Sequence, residues 1–127
     1  MQKNMAILFV VIVAVAAGLW FWSSSEQAKN APATVITSDI IFFFGQECPH
    51  CQDVEKFLAE NKISDKVKFD SLEVWHNSAN NDVLTQRARE CGIPQDKMGV
   101  PFLYAKGKCY VGTPDVEAFF RQEAGIK

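Results

Sequence analysis

This sequence predicts an α/β domain in which buried strands alternate with amphipathic helices, and three observations carry that expectation. An unbroken apolar run, Ile40-Ile41-Phe42-Phe43-Phe44, reads as a strand covered on both faces, and it stops at Gly45, where the backbone can turn sharply. After the turn the hydrophobic period becomes that of a helix, with Cys51, Val54, Phe57 and Leu58 recurring at helical spacing as far as Asn61. Much later, Phe102-Leu103-Tyr104-Ala105, the turn Lys106-Gly107 and Cys109-Tyr110-Val111 have the pattern of a hairpin.

The remaining elements fall between and after these. Pro49 is a favoured first residue for the helix that follows the opening strand. Lys66-Val67-Lys68-Phe69-Asp70 alternates with period two and predicts a second strand, extended toward Val74. Trp75 to Asn81 is polar and turn-like, and Val83, Leu84, Ala88 and Cys91 then mark one face of a second helix ended by Gly92. Pro94 to Met98 reads as a loop leading into Gly99-Val100-Pro101 and the hairpin. Thr113 as N-cap and Pro114 as first helical residue open a last helix that turns Val116, Phe119 and Phe120 inward. The order is strand, helix, strand, helix, strand, strand, helix. Phe43, Phe57, Phe69, Phe102, Phe119 and Phe120 are read as its core, not as a cofactor box.

The 127 residues, 48% of them hydrophobic, suit one core of about 100 residues with something added. The addition is N-terminal. Met5 to Trp22 contains no charged residue, and its 18 residues at ~1.5 Å each give about 27 Å, close to a bilayer's hydrocarbon thickness. A secretory signal has a shorter apolar region followed at once by a small-x-small site. Here Ala31-Pro32-Ala33 lies well past the apolar end and has proline at its centre, which favours an uncleaved anchor. Lys3 precedes the span, Lys29 follows it, and Trp20 and Trp22 suit an interface, so the N-terminus is expected in the cytoplasm and the domain outside it. The resulting division is a cytoplasmic end at 1–4, a single span at 5–22, a polar tether at 23–34 and the folded domain at 35–127. Setting Lys3 aside leaves 12 of the 13 basic residues against 15 acidic ones, with no basic cluster, so nucleic acid is not an expected partner.

The chemistry is expected at Cys48-Pro49-His50-Cys51, where strand hands over to helix. The first amides of a helix are unpaired and carry partial positive charge, which favours a thiolate, so Cys48 is the expected nucleophile. Cys51, one turn deeper, is the expected resolving thiol, close enough to close a disulfide across the turn. His50 between them, with Pro49 starting the helix, would push the Cys48 thiol below its ordinary value and make the disulfide more oxidising. Other uses of the pair fit less well. Haem attachment needs histidine directly after the second cysteine, where Gln52 stands. Zinc usually takes two such pairs or spaced histidines, and the chain offers only His76, Cys91 and Cys109 besides, so no metal or other cofactor is expected. A structural disulfide closing so short a loop would restrict the unfolded chain little. The competing class is a tethered metal-binding or metal-delivery domain using Cys48, Cys51 and a histidine.

The cysteine pair after the first strand, Val100-Pro101 some fifty residues on, and the hairpin leading to Gly112 and a final helix together resemble the thioredoxin fold from about Val35 to Lys127. The resemblance implies a central mixed sheet of about four strands flanked by helices, preceded here by the membrane span. It implies a cis proline at Pro101 facing the active cysteines, with Val100 holding a substrate peptide by strand-like hydrogen bonds. Pro49-His50 and the valine before the proline are similar to those of DsbA-type disulfide oxidases. The domain lacks their large helical insertion, however, and is closer in size to glutaredoxin. Thioredoxin also has a buried acid six positions before its first cysteine, where this chain has Phe42.

The expected function is therefore thiol-disulfide exchange on protein thiols or disulfides outside the cytoplasm. A membrane-bound or soluble redox partner would recycle the pair, and the working direction stays open. His76 is expected to be an exposed loop histidine. Cys91 and Cys109 have two open readings: buried apolar residues, or a second disulfide closing a loop of about 17 residues. Against the disulfide, Cys91 is expected near the active end of the fold and Cys109 at the far end, unless Pro94 to Met98 lowers the Cys91 segment toward the hairpin.

Overall fold

Ile40–Phe44 forms strand β1, with its first four residues buried, and the computed structural model shows what covers it. The structure describes Pro32 and residues 34–127. The membrane span expected at 5–22 lies outside the described residues, and among the described residues no helix is long and apolar enough to cross a membrane. Strand β1 is followed by helix α1 (Pro49–Glu60), β2 (Asp70–Glu73), α2 (Ser78–Glu90), β3 (Phe102–Ala105), β4 (Lys108–Val111) and α3 (Thr113–Glu123), with short 3-10 turns at Ile63–Asp65 and Gln95–Lys97. The sheet order is β2-β1-β3-β4, with β2 parallel to β1 and the other two pairings antiparallel. This is a thioredoxin-like α/β fold with a four-stranded mixed sheet.

Alternation along β1 explains why its sequence is apolar throughout. Ile40 and Phe42, with Leu103 and Ala105, face Val54, Phe57 and Leu58 of α1 and Val116 and Phe120 of α3. Ile41 and Phe43, with Leu72 and Phe102, face Leu84 and Ala88 of α2. A strand with a helix layer on each side has no solvent face, so neither set of side chains can be polar. Phe42 is one of these residues, so the position that bears an acid in thioredoxin is part of a dry core here. Phe69 and Phe119 pack against the same core from partly exposed positions.

Several element ends differ from the sequence expectation. Strand β2 begins at Asp70, not Lys66, because the register pairs Asp70 with Ile41 and leaves 66–69 beyond the end of β1's ladder. Val67 is apolar in that segment because it packs into the core from a loop. Within the segment expected to be a turn, α2 already starts at Ser78, where the Asn77 side chain caps the helix by accepting the Asn80 N–H at 3.1 Å. Gly112, not Thr113, is the N-cap of α3. The hairpin turn Lys106-Gly107 has φ values of 51° and 84°, the paired left-handed conformation that suits a two-residue loop and that glycine adopts without strain.

Cys91 and Cys109 are joined by a disulfide, with Cα atoms 6.1 Å apart. The expectation that Cys91 sits near the active end is corrected by the direction of α2. Because β2 runs parallel to β1, it ends beside Gly45, and α2 starts there and runs back. Its 13 residues, about 20 Å at ~1.5 Å each, carry the C-cap Cys91 to the hairpin end. The segment from Gly92 to Pro101 then makes the return, so Pro94 to Met98 climbs away from the hairpin. On the chain-entropy model, replacing both cysteines by alanine should cost ~3 kcal/mol for a closed loop of this length. Denaturant unfolding with the Cys48-Cys51 pair held in one redox state measures it, and a loss well under ~1 kcal/mol would show that the bridge adds nothing to stability.

Candidate active site at the β1 to α1 junction

Gly45 ends β1, and Cys48 is reached by a tight turn in which its N–H donates to the Gly45 carbonyl at 3.1 Å. Cys48 is the N-cap of α1, in extended conformation, and Pro49 is the first helical residue. A cap normally supplies an oxygen, and here the acceptor is sulfur: the Cys51 N–H donates to Cys48 Sγ at 3.2 Å. One of the helix's orphan amides thus points at the sulfur of the leading cysteine, as an anion site at a helix start requires. Both cysteines are free thiols.

The two thiols differ in surroundings. Cys51 is fully buried beneath the first turn, whereas Cys48 keeps a small exposed edge (4%). Burial pushes the Cys51 thiol up to about 12, helped by its hydrogen bond with Cys48 and by the nearby charges of Cys48 and Glu55. Cys51 therefore keeps its proton at neutral pH while the pair is reduced.

One wall of the site comes from the loop before β3. The Val100–Pro101 peptide bond is cis, and the Cys48 thiol faces the Val100 carbonyl at 3.9 Å. Pro101 is buried and Val100 half-buried. The Pro101 carbonyl accepts the Gly112 N–H at 2.9 Å, and Thr113 Oγ1 donates to the His50 carbonyl at 3.2 Å. The start of α3 is thus tied both to the proline loop and to the dipeptide between the cysteines. That contact explains why Thr113 is not the cap: its hydroxyl is engaged across the site. The Val100 N–H has no hydrogen-bond partner among the described residues, which leaves a strand-like donor open beside Cys48. Pro49 and His50 are exposed, so any charge on His50 acts on the sulfur through solvent.

On the opposite side the structure adds residues that the sequence did not single out. The Glu73 carboxylate accepts N–H bonds from Gln46 at 3.3 Å and from Trp75 and His76 at 2.9 Å each. His76, in an exposed loop as expected, has its Nε2 2.8 and 2.9 Å from the two Glu47 carboxylate oxygens. Buried Asn80 holds the end of β2 by donating to the Glu73 carbonyl at 2.9 Å, and it accepts the Thr34 N–H at 2.9 Å. Nothing in the local sequence marks these roles, since each depends on the parallel pairing that brings residues 46 and 73 together. Among the described residues, no three His, Cys, Asp or Glu side chains gather as a metal site.

A sequence model of the family described as Glutaredoxin matches residues 34–110. No curated protein matches the chain. Among solved structures, a wheat glutaredoxin is similar with a TM-score of 0.50 and 20% identity, over 71% of this chain and 78% of that one. A buckwheat glutaredoxin solved in complex with glutathione gives 0.46 and 16%, over 70% and 82%. Oxidised glutaredoxin 2 from Chlamydomonas reinhardtii gives 0.46 and 20%, over 70% and 84%.

Two measurements check the asymmetry of the thiols. Alkylation of the reduced protein at about pH 6 should label Cys48 before Cys51, since thiolate character and access govern the rate, and equal labelling would contradict the difference in burial. A folded-state value raised above the ordinary one means that the folded state holds the proton more tightly. Cys51 therefore contributes stability in full below its ordinary value of about 9 and loses it as pH rises toward 12. Reduced wild-type protein should thus lose stability across that window more steeply than Cys51→Ala, and parallel curves would contradict it.

Proposed function

We propose that this chain, which belongs to the glutaredoxin family, is a membrane-tethered thiol-disulfide oxidoreductase that uses Cys48 and Cys51 on protein substrates outside the cytoplasm. The family supports thiol-disulfide chemistry in general, and the observation that carries the assignment of residues is the Cys48 sulfur. It caps α1 by accepting the Cys51 N–H and faces the Val100 carbonyl beside Pro101. In the reductive direction the Cys48 thiolate attacks a substrate disulfide, one substrate sulfur leaves as a thiol, and a Cys48-substrate mixed disulfide forms. Cys51 then loses its proton, attacks Cys48, and releases the second substrate thiol as the Cys48-Cys51 disulfide closes. Oxidation of a substrate dithiol runs the same steps in reverse. Electrons are returned or removed by a membrane-bound or soluble redox partner, and that partner's potential sets the direction. No cofactor enters these steps.

Two observations support the extracytoplasmic placement. The uncharged apolar stretch at 5–22 is long enough for a single span. The Cys91-Cys109 disulfide is of a kind that persists in oxidising compartments. Val100, with its open N–H, is the residue proposed to pair with the substrate chain, and Pro49 and His50 are proposed to tune the couple.

The experiment is capture and turnover. Cys51→Ser should accumulate reductant-sensitive mixed disulfides with client proteins, whereas Cys48→Ser should accumulate none. Capture by the second variant but not the first would reverse the assigned roles. Replacing His50 by alanine should make the couple more reducing, but by less than a buried charge would. An exposed charge interaction of ~0.2–1 kcal/mol corresponds to about 5–20 mV for two electrons. A glutathione-buffer titration reads this, and a shift toward more oxidising values would contradict the electrostatic role.

A further inference from the structure

We propose that Trp75 selects the substrate: its exposed indole face receives a bulky apolar side chain next to the reacting cysteine of an extended polypeptide. The inference rests on the thiol-disulfide reading and names the class of substrate for that same site.

Trp75 is 52% exposed, and the other exposed large hydrophobic residues among those described are Val35 and Val111. A single exposed apolar residue is ordinary by itself. Trp75 differs in being held rigidly at the rim of the dithiol site. One face of its ring lies directly on Gly45, where a Cβ would overlap the indole. The Trp75 and His76 N–H groups are fixed to the Glu73 carboxylate, which also takes the Gln46 N–H. His76 is paired with Glu47, the residue before Cys48. The Gly45 carbonyl that accepts the Cys48 N–H therefore belongs to the residue the indole covers. An aromatic ring anchored on one face and open on the other gains contact area with little further loss of rotamer freedom.

The sheet order places this ring opposite the peptide-pairing wall. Cys48 follows β1, the Val100 loop enters β3 on one side, and the Trp75 loop leaves β2 on the other. Two strand spacings, about 10 Å, separate those walls, so a segment bound at Val100 through its backbone presents a side chain one or two residues from its cysteine to the indole. The Glu73 carboxylate is engaged by three backbone N–H groups and Glu47 by the His76 ring, so the recognition offered here is the apolar face of the indole.

The test uses the full chain with dithiothreitol as electron source and three disulfides: a peptide with leucine flanking its cysteine, the same peptide with glycine there, and hydroxyethyl disulfide. Wild type should prefer the leucine peptide. Trp75→Ala should lower kcat/KM for that peptide about tenfold and leave the other two substrates unchanged, and Trp75→Phe should restore most of the preference. An equal loss on all three substrates would show that Trp75 only holds the loop, and an unchanged leucine-peptide rate would show that the ring makes no contact; either overturns the proposal. Absence of wild-type turnover above the dithiothreitol background on all three disulfides would instead remove the thiol-disulfide reading on which it stands.

Discussion

The absence of any solvent face on β1 is the constraint from which the remaining architecture follows. Five apolar residues in a row must be covered on both sides, which places α1 and α3 on one face and α2 on the other. Placing α1 and α2 on opposite faces while keeping β2 parallel to β1 brings the carboxyl ends of both strands to the same edge. In open α/β sheets that edge is where sites form, because both connections leave there and their helices begin there. The dithiol, the Glu73 clamp and Trp75 are all consequences of this single arrangement.

The cysteine pair was legible in the sequence because its signal is local. Gly45, Cys48, Pro49 and Cys51 are close enough in the chain that turn, cap and helix start are fixed by neighbouring residues. The hairpin was legible for the same reason, whereas the cis bond at Pro101 and its place beside the cysteines follow only from the resemblance to the thioredoxin fold. The opposite wall was not legible. Glu73, Trp75, His76 and Asn80 act on residues that lie from 27 to 46 positions away, and a polar stretch between a strand and a helix looks like any loop. The period-two pattern of Lys66 to Asp70 misled because alternation records which side chains face the core, and Val67 does so without a ladder partner.

The disulfide shows the same limit from the other direction. Sequence alone sets the end of α2 at the active edge, although a helix that starts there must end one helix length away. Once the parallel pairing of β2 is known, Cys91 and Cys109 fall within bonding distance. The bridge closes the segment that contains Val100 and Pro101, so it limits the freedom of the loop forming one wall of the site.

The site divides its work between two kinds of surroundings. Burial of Cys51 retains its proton, and Phe42, packed in the core beneath α1 and α3, stands where thioredoxin has a buried acid. No carboxylate from β1 is therefore at hand to take the Cys51 proton. In the proposed cycle that proton would leave through the edge exposed at Cys48, toward the substrate thiol being released or toward water, or toward Glu55, the carboxylate of α1 whose charge acts on Cys51. Resolution of the proposed mixed disulfide would then depend on how closely the bound chain covers that edge. The open Val100 N–H and the anchored indole, which would position that chain, lie on either side of it. In the proposed cycle substrate recognition and proton exit would thus share one opening.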